Sequence, residues 1–110
     1  MIERIVLDYL KGALDVPVRM EEPEEVVKEY VLIEKTGSSV ENHIQSATFA
    51  IQSYADSLLR AAEMNEEVKA AMDNMVILKE ISKAELNSDY NFTDQTKKRY
   101  RYQAVYDVYY

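Results

Sequence analysis

The end of the chain alternates between two sets of side chains with a period of two. One set, mostly aromatic and apolar, consists of Tyr100, Tyr102, Ala104, Tyr106, Val108 and Tyr110. The other set, which is mixed, consists of Arg99, Arg101, Gln103, Val105, Asp107 and Tyr109. This alternation predicts a strand with one face against a core. A strand of this kind needs neighbouring strands and a second layer, so the pattern indicates a layered sheet.

The N-terminal elements differ from this pattern. Residues 2–13 carry apolar side chains at helical spacing, which predicts an amphipathic helix that Pro17 would prevent from continuing. Val16, Val18 and Met20 then alternate with polar residues and Pro17. We expect a short strand there, with Pro17 at its start or on an edge because proline has no amide to donate.

The middle of the chain predicts a strand pair and one or two helices. Residues 30–52 suggest two antiparallel strands joined by a turn at residues 36–39, which are Thr-Gly-Ser-Ser. Ser53 to Asp56 fits a capping box at the start of a helix. Asn65 could cap a second helix, or a single helix could run through it. Residues 81–90 alternate again and are polar on both sides, which favours an edge strand or a strand paired with a neighbour.

Together these elements define the predicted fold class. We expect an α+β protein with a mainly antiparallel sheet of four to five strands and helices packed on one face. The predicted order is α-β-β-β-α(α)-β-β. A chain of 110 residues has room for one domain with one core.

Charge and composition restrict the classes of function. The net charge of −7 argues against nonspecific nucleic-acid binding, which needs a basic surface. The acidic segment (residues 21–29) holds five acids and one lysine, whereas the basic segment (residues 97–101) holds four bases. These segments are either two solvated stretches or unlike patches that face each other on neighbouring copies. The N-terminus lacks the features of a signal peptide, and no apolar run is long enough for a membrane helix.

The sequence shows no arrangement typical of an active site, although its twenty acids leave a pair of catalytic carboxylates open. The sequence has no cysteine, and its one histidine, His43, lies in a polar segment where we expect it to be exposed. Asn87, Asp89, Asn91 and Thr93 resemble the start of a calcium loop, but the required glycine and glutamate are absent. We therefore expect no enzyme activity, no metal and no cofactor.

The methionines and tyrosines have two possible uses. Met64, Met72 and Met75 lie at helical spacing, which favours the core over a binding surface. Tyr100, Tyr102 and Tyr106 are expected beneath the helices. Tyr109 and Tyr110 would then lie at the strand end, where contact with another subunit is plausible because tyrosine is enriched in interfaces.

Three stretches of the chain resemble small tail proteins of siphophages and of prophages of Gram-positive bacteria. The C-terminal stretch, Leu86–Tyr110, has an Asn- and Thr-containing loop, basic residues and the tetrapeptide Tyr-Arg-Tyr-Gln at 100–103. Thr48–Met72 resembles their strand-then-helix unit, and Glu29–Ser39 resembles an early strand. The family that these stretches resemble is the tail terminator or tail-completion group, also called tail-to-head joining or minor tail proteins.

The resemblance implies a ring protein that caps the tail tube beneath the head. It implies a sheet flanked by helices, self-association that is often hexameric, and tail-tube and head-completion proteins as partners. DNA could pass through the ring without specific binding, and no membrane is involved. The location would be the host cytoplasm during assembly and then the virion tail. The alternatives are a head–tail connector component and a small intracellular protein-binding module with no phage role.

The predicted subunit interface combines the loop before the last strand with that strand's two ends. Its residues are Asn91, Thr93, Asp94, Lys97, Lys98, Arg99, Arg101, Tyr109 and Tyr110. The loop is long and polar and joins two strands, which makes it the segment best suited to reach a neighbour. Reversing the charge of Lys97, Lys98 and Arg99 is expected to weaken oligomerisation more than stability.

Overall fold

The computed structural model describes residues 1–25, 27–94, 96 and 99–110. Its regular elements are, in chain order, α1 (Ile2–Ala13), β1 (Val18–Arg19), β2 (Tyr30–Glu41), β3 (Ile44–Ala55), α2 (Leu58–Asp73), a 3-10 helix (Met75–Ile77), β4 (Lys83–Asn91) and β5 (Tyr100–Tyr109). The strands form one sheet in the order β1-β2-β3-β5-β4. All neighbours are antiparallel except β1 and β2, which run parallel. The predicted α+β class and element order are confirmed.

The large core lies between this sheet and the two helices. Helix α1 buries Ile2, Val6 and Leu10, which recur at the spacing of one helix face. The most deeply buried side chains of the other elements include Phe49, Ile51, Met64, Val68, Met72, Met75, Tyr106 and Val108. The core position predicted for the three methionines is confirmed. Tyr106 is also beneath the helices as predicted, and Tyr100 and Tyr102 are half-buried against the core.

The turn between β2 and β3 lies beyond the predicted position. It consists of Asn42 and His43, with φ angles of 50° and 66°, and His43 is exposed as expected. Asparagine tolerates the left-handed region that a two-residue hairpin turn requires. The predicted turn at residues 36–39 is therefore wrong. These residues belong to β2, where the irregularity is a bulge at Thr36 between Lys35 and Gly37.

The predicted capping box is also wrong, because the strand before α2 is longer than expected. Ser53 is buried within β3 and pairs with Tyr102, so strand pairing uses its backbone. The helix cap is Ser57, whose hydroxyl accepts a hydrogen bond from the Arg60 amide at 3.1 Å. A single helix runs through the buried Asn65. The alternative with one long helix is therefore the observed one.

Strand β4 lies at the edge of the sheet, as predicted, but its alternation is interrupted. Leu86 pairs with Tyr106 and Ser88 pairs with Val105, which leaves Asn87 as an extra residue. Side chains before and after this bulge therefore exchange faces. Leu86 and Ser88 therefore lie on opposite faces, although the alternation expected over residues 81–90 would place them on one face. At the other edge, β1 is only two residues long and covers only the beginning of β2.

Candidate interaction surface

The sheet has one face that the helices cover and one that they leave open. Both helices contribute to the large core on the first face. A smaller apolar cluster on the second face consists of Tyr30, Leu32 and Tyr54, with Val27 packed against it. The strand register places further polar and aromatic side chains on this second face beside Tyr30 and Tyr54 of the cluster. We call the following set the open face: Tyr30, Gln52, Tyr54, Tyr90, Arg101 and Gln103.

A chain of hydrogen bonds crosses the open face from strand to strand. The Tyr54 hydroxyl donates to Gln52 Oε1 at 2.9 Å, and Gln52 Nε2 donates to Gln103 Oε1 at 2.8 Å. Gln103 Nε2 then donates to the Tyr90 hydroxyl at 2.6 Å. The two glutamines are directly opposite each other in the register, which makes this contact possible. The bonds satisfy amides that would otherwise be buried without a partner.

Arg101 joins this network to two aromatic rings. Its Nη1 donates to the Tyr54 hydroxyl at 2.9 Å, and its Nε donates to the Phe92 carbonyl at 2.8 Å. The guanidinium lies 4.4 Å from the Phe92 ring centre and 5.4 Å from that of Tyr54. A planar guanidinium can donate and stack at once, which lysine cannot. The orientation of Arg101 is therefore fixed by its own chain.

Arg99 attaches the acidic segment to the start of β5. It donates to the carbonyls of Val27 and Lys28, forms an ion pair with Asp56 at 3.4 Å and lies 5.5 Å from the Tyr30 ring centre. An open cleft of about 320 Å³ lies between the acidic segment and these basic residues, and Glu22, Glu24, Glu25, Arg99 and Arg101 are among its lining residues. The described parts of the acidic and basic segments therefore meet within one copy.

Replacing Arg99 is expected to loosen the acidic segment without unfolding the sheet. Arg99→Gln removes hydrogen bonds to two carbonyls and one ion pair, so local opening near Lys28 should become easier. We expect trypsin to cleave after Lys28 about tenfold faster, which corresponds to about 1.4 kcal/mol of local stability. Arg4→Gln, at an exposed position of α1, is the matched control. Equal cleavage rates in both variants would show that Arg99 does not hold the segment.

The β2–β3 hairpin provides a second exposed surface. Residues 34–45 are all exposed, and the molecule extends 44 Å along its long axis but 24 Å along the other two. Two apolar side chains lie near the tip, Val40 at 70% and Ile44 at 56% exposure. The register places them on opposite faces of the hairpin, because Val40 is opposite Gln45 and Ile44 is opposite Glu41.

The structure separates the predicted interface residues into two groups. Near the start of β5, Asn91 Oδ1 accepts hydrogen bonds from the Thr93 amide and hydroxyl at 3.0 and 2.6 Å, and Thr93 Oγ1 accepts from the Arg101 amide at 3.1 Å. Asp94 forms an isolated bridge with Arg99. These residues therefore contact one another around the loop through both side-chain and backbone groups. Lys97 and Lys98 lie outside the described residues.

Tyr109 and Tyr110 form the second group, at the opposite end of β5. Ten residues separate Tyr109 from Arg99, so the two groups are roughly 33 Å apart along the strand. Tyr109 pairs with Ser46 and Lys83, and the Lys83 ammonium lies 5.7 Å from its ring centre. The Tyr110 amide donates to the Gln45 carbonyl at 3.0 Å. The predicted interface therefore does not form one patch within a single copy.

Burial raises the pKa of Tyr30, and the nearby Tyr54 raises it further, so this phenol stays neutral at ordinary pH. The calcium-like pattern is dispersed: Asn87 donates to Asp107, whereas Asp89 accepts from Asn65 and Lys69. Within residues 1–25, 27–94, 96 and 99–110, no three histidine or acidic side chains lie close enough to hold a metal ion.

Sequence reasoning missed the side chains that organise the open face. The available signal was the alternation of side chains along each strand. Gln52 and Tyr54 share one face of β3, and Arg101 and Gln103 share one face of β5. The alternation identifies each pair within its own strand. Contact between the two pairs depends on the register of β3 against β5, which no local pattern in the sequence predicts.

The comparisons with known proteins give no family. No protein-family model matches the chain, and no curated protein matches it. No helix in the described ranges has both the length and the apolar character needed to cross a bilayer.

Proposed function

We propose that this protein is a structural, non-enzymatic component of a bacteriophage or prophage tail. It would form an oligomeric ring at the end of the tail tube and join the tube to the head. Its partners would be further copies of itself, the tail-tube protein and a head-completion protein.

The observation that carries this proposal is the agreement between fold and resemblance. The resemblance of three stretches to tail terminator proteins implies a sheet flanked by helices, and the structure has a five-stranded sheet with two helices packed on it. The described residues also provide an extended contact surface, namely the exposed β2–β3 hairpin. Surfaces of this kind suit contacts between proteins more than binding of a small substrate.

The proposal predicts a gene for a tail-tube protein near the gene for this chain, and the test uses tail tubes assembled from that protein. Purified protein is added to the tubes, which are then viewed by negative-stain electron microscopy, and free protein is analysed by sedimentation velocity. We expect a ring of extra density at one end of each tube and arrest of further elongation. Bare tube ends, together with a protein that stays monomeric at high concentration and low salt, would contradict the proposal.

Two matched variants test whether the hairpin takes part. Ile44→Asp places a charge at the hairpin tip, and Leu59→Asp places one at the start of α2, where the side chain is 73% exposed. Both positions are exposed, so both variants should fold with stabilities within about 0.5 kcal/mol of the parent. We expect loss of tube capping for Ile44→Asp alone. Normal capping by both variants would place the tube contact elsewhere on the protein.

A further inference from the structure

The sheet has two long edges that no other described strand covers. Strand β1 pairs only with Val31 and Leu32, so the outer edge of β2 is unpaired from residue 33 to residue 41. Strand β4 is last in the sheet order, so its outer edge is unpaired over all nine residues, Lys83–Asn91. The free stretch of β2, from 33 to 41, also has nine residues. Unpaired amides and carbonyls on such edges can template pairing with another chain.

The directions of the strands determine how two copies could join. Each step from β2 to β3, from β3 to β5 and from β5 to β4 is antiparallel. Strands β2 and β4 therefore run in opposite directions at the two edges of the sheet. If a second copy continues the sheet with its helices on the same side, its β2 edge lies antiparallel to the first copy's β4 edge.

The bulges of the two edges match in this arrangement. When the two nine-residue stretches coincide, Ile33 is opposite Asn91 and Glu41 is opposite Lys83. The extra residues, Thr36 in β2 and Asn87 in β4, then lie within one position of each other near the centre. Side chains before and after the bulges keep their faces matched across the junction. Antiparallel neighbours require this, because directly opposite residues share a face.

The same register brings opposite charges together. Lys35 is opposite Asp89 on the helix side, and Glu41 is opposite Lys83 on the open side. Val40 is opposite Ala84, which pairs an exposed apolar side chain with a small one. Cross-strand pairs of opposite charge stabilise a sheet. Pairing β2 with β2 places no opposite charges across from each other in any register that keeps the faces matched. Pairing β4 with β4 does so only in a register centred on Ala84, which places Lys83 opposite Glu85 but overlaps only the start of β4.

Lys35 and Asp89 keep their present ion pairs in this arrangement. Lys35 lies 3.0 Å from Glu3, and Asp89 Oδ1 lies 3.3 Å from Lys69 of the same copy. Across the junction these four side chains would form a network of alternating charge, which contributes more than isolated surface pairs do.

We propose that the free edge of β2 in one copy pairs, antiparallel and in this register, with the free edge of β4 in the next copy. The occupant of each edge is thus a second copy of this chain, and the proposal deepens the proposed function because it names the contact that builds the ring. The two edges differ, so the contact is head-to-tail and closes into a ring when the rotation between copies closes.

Cysteine cross-linking tests the register directly, since the chain has no cysteine of its own. Ser39 and Glu85 are opposite each other in the proposed register, and both are exposed. Directly opposite residues have Cα atoms about 4.5 to 5.5 Å apart, which is within the range of a disulfide. We mix Ser39→Cys protein with Glu85→Cys protein under mild oxidation and expect a disulfide-linked heterodimer as the main product.

The control mixes Ser39→Cys with Asn91→Cys, because position 91 is six residues, or roughly 20 Å, from position 85 along β4. We expect at least tenfold less heterodimer from this mixture. Equal yields from both mixtures, or no heterodimer from the first, would overturn the proposed pairing.

Sedimentation of the same samples, together with the tube-capping assay, distinguishes failure of the proposed pairing from failure of the proposed function. Oligomers that cap tubes without the Ser39–Glu85 link leave the proposed function standing, whereas linked oligomers that never bind a tube contradict the function but not the pairing.

Charge reversal provides a second test. Lys83→Glu places two glutamates opposite each other at the junction, so association should weaken about tenfold. Adding Glu41→Lys in the same chain reverses the pair and should restore association. Charges and bulges on free edges can also serve to keep monomers apart. If the edge charges keep monomers apart, the variant with both Lys83→Glu and Glu41→Lys should associate no better than Lys83→Glu alone. This result would overturn the proposal.

Discussion

Phe49→Ala is expected to lower the free energy of unfolding by about 3 to 5 kcal/mol. Phe49 is fully buried in the central strand β3, where it is opposite Lys35 of β2 and Tyr106 of β5. Truncation to alanine removes apolar area from the core and leaves a cavity that the sheet and α2 cannot fully close. Urea unfolding followed by circular dichroism measures the change in the free energy of unfolding. The slope of this free energy against urea concentration, the m-value, should stay constant if the folded state is unchanged.

Ile44→Ala is the matched control, because Ile44 lies on the same strand but is 56% exposed. It should change the free energy of unfolding by less than about 0.5 kcal/mol. Similar losses in the two variants would contradict the position of the core between sheet and helices. A small loss in both would mean that Phe49 is not enclosed.

Alkaline pH is expected to destabilise the protein, and Tyr106 is the main reason. This buried phenol donates to the Lys69 carbonyl at 3.2 Å and to Asp73 Oδ1 at 2.9 Å. Burial and then the neighbouring Asp73 raise the pKa of Tyr106 far above its usual value. In the unfolded chain tyrosine loses its proton near pH 10, whereas the folded protein retains it.

The stabilising contribution is therefore fully present below pH 10 and is lost as pH rises above it. The slope is up to about 1.4 kcal/mol per pH unit for each such tyrosine. Urea unfolding between pH 8 and pH 11.5 measures this slope. Burial also raises the pKa of Tyr9 and Tyr30, so both add to it.

Tyr106→Phe isolates the contribution of one hydroxyl. It should cost about 1 kcal/mol at pH 7 through the lost hydrogen bonds, and it should reduce the alkaline slope. Tyr109→Phe, at a half-buried position on the open side of β5, is the control for loss of a tyrosine hydroxyl, and its free energy of unfolding at pH 7 should change by less than about 0.5 kcal/mol. An identical alkaline slope in Tyr106→Phe and the parent protein would contradict the protonated, buried state of this phenol.

The contact between the acidic and basic segments changes how the charge asymmetry is interpreted. The sequence left open whether these segments are solvated or face each other on neighbouring copies. Because Arg99 donates to carbonyls of residues 27 and 28, part of the attraction is used within one copy. Charge reversal that includes Arg99 is thus expected to loosen the acidic segment as well as to affect assembly.

Local patterns predicted those elements whose side chains alternate or recur without interruption. Helix α1 has the predicted bounds, and β5 has the predicted face, because each carries an uninterrupted apolar pattern that only one periodicity fits. The predictions failed at the hairpin and at the start of α2. Gly37 in a Thr-Gly-Ser-Ser stretch has the composition of a turn, yet pairing with Thr48 holds it in a strand.

The candidate surfaces were harder to predict than the elements that carry them. The interface residues proposed from sequence included Arg99 and Arg101, but not the tyrosines that contact them, Tyr30 and Tyr54, or the glutamines that extend the network from Tyr54. The contact between Gln52 and Gln103 spans 51 residues and exists only in one register. The match between the two sheet edges depends on bulges at Thr36 and Asn87, which shift faces and which no local pattern marks.

Periodicity and apolarity act over a few neighbouring residues, so they predicted the class of fold, the order of its elements and most of the side chains that fill the core. The strand ends, the polar contacts on the open face and the unpaired edges became evident only in the folded chain. These features depend on strand register, and register results from long-range pairing that satisfies backbone groups over the whole sheet at once.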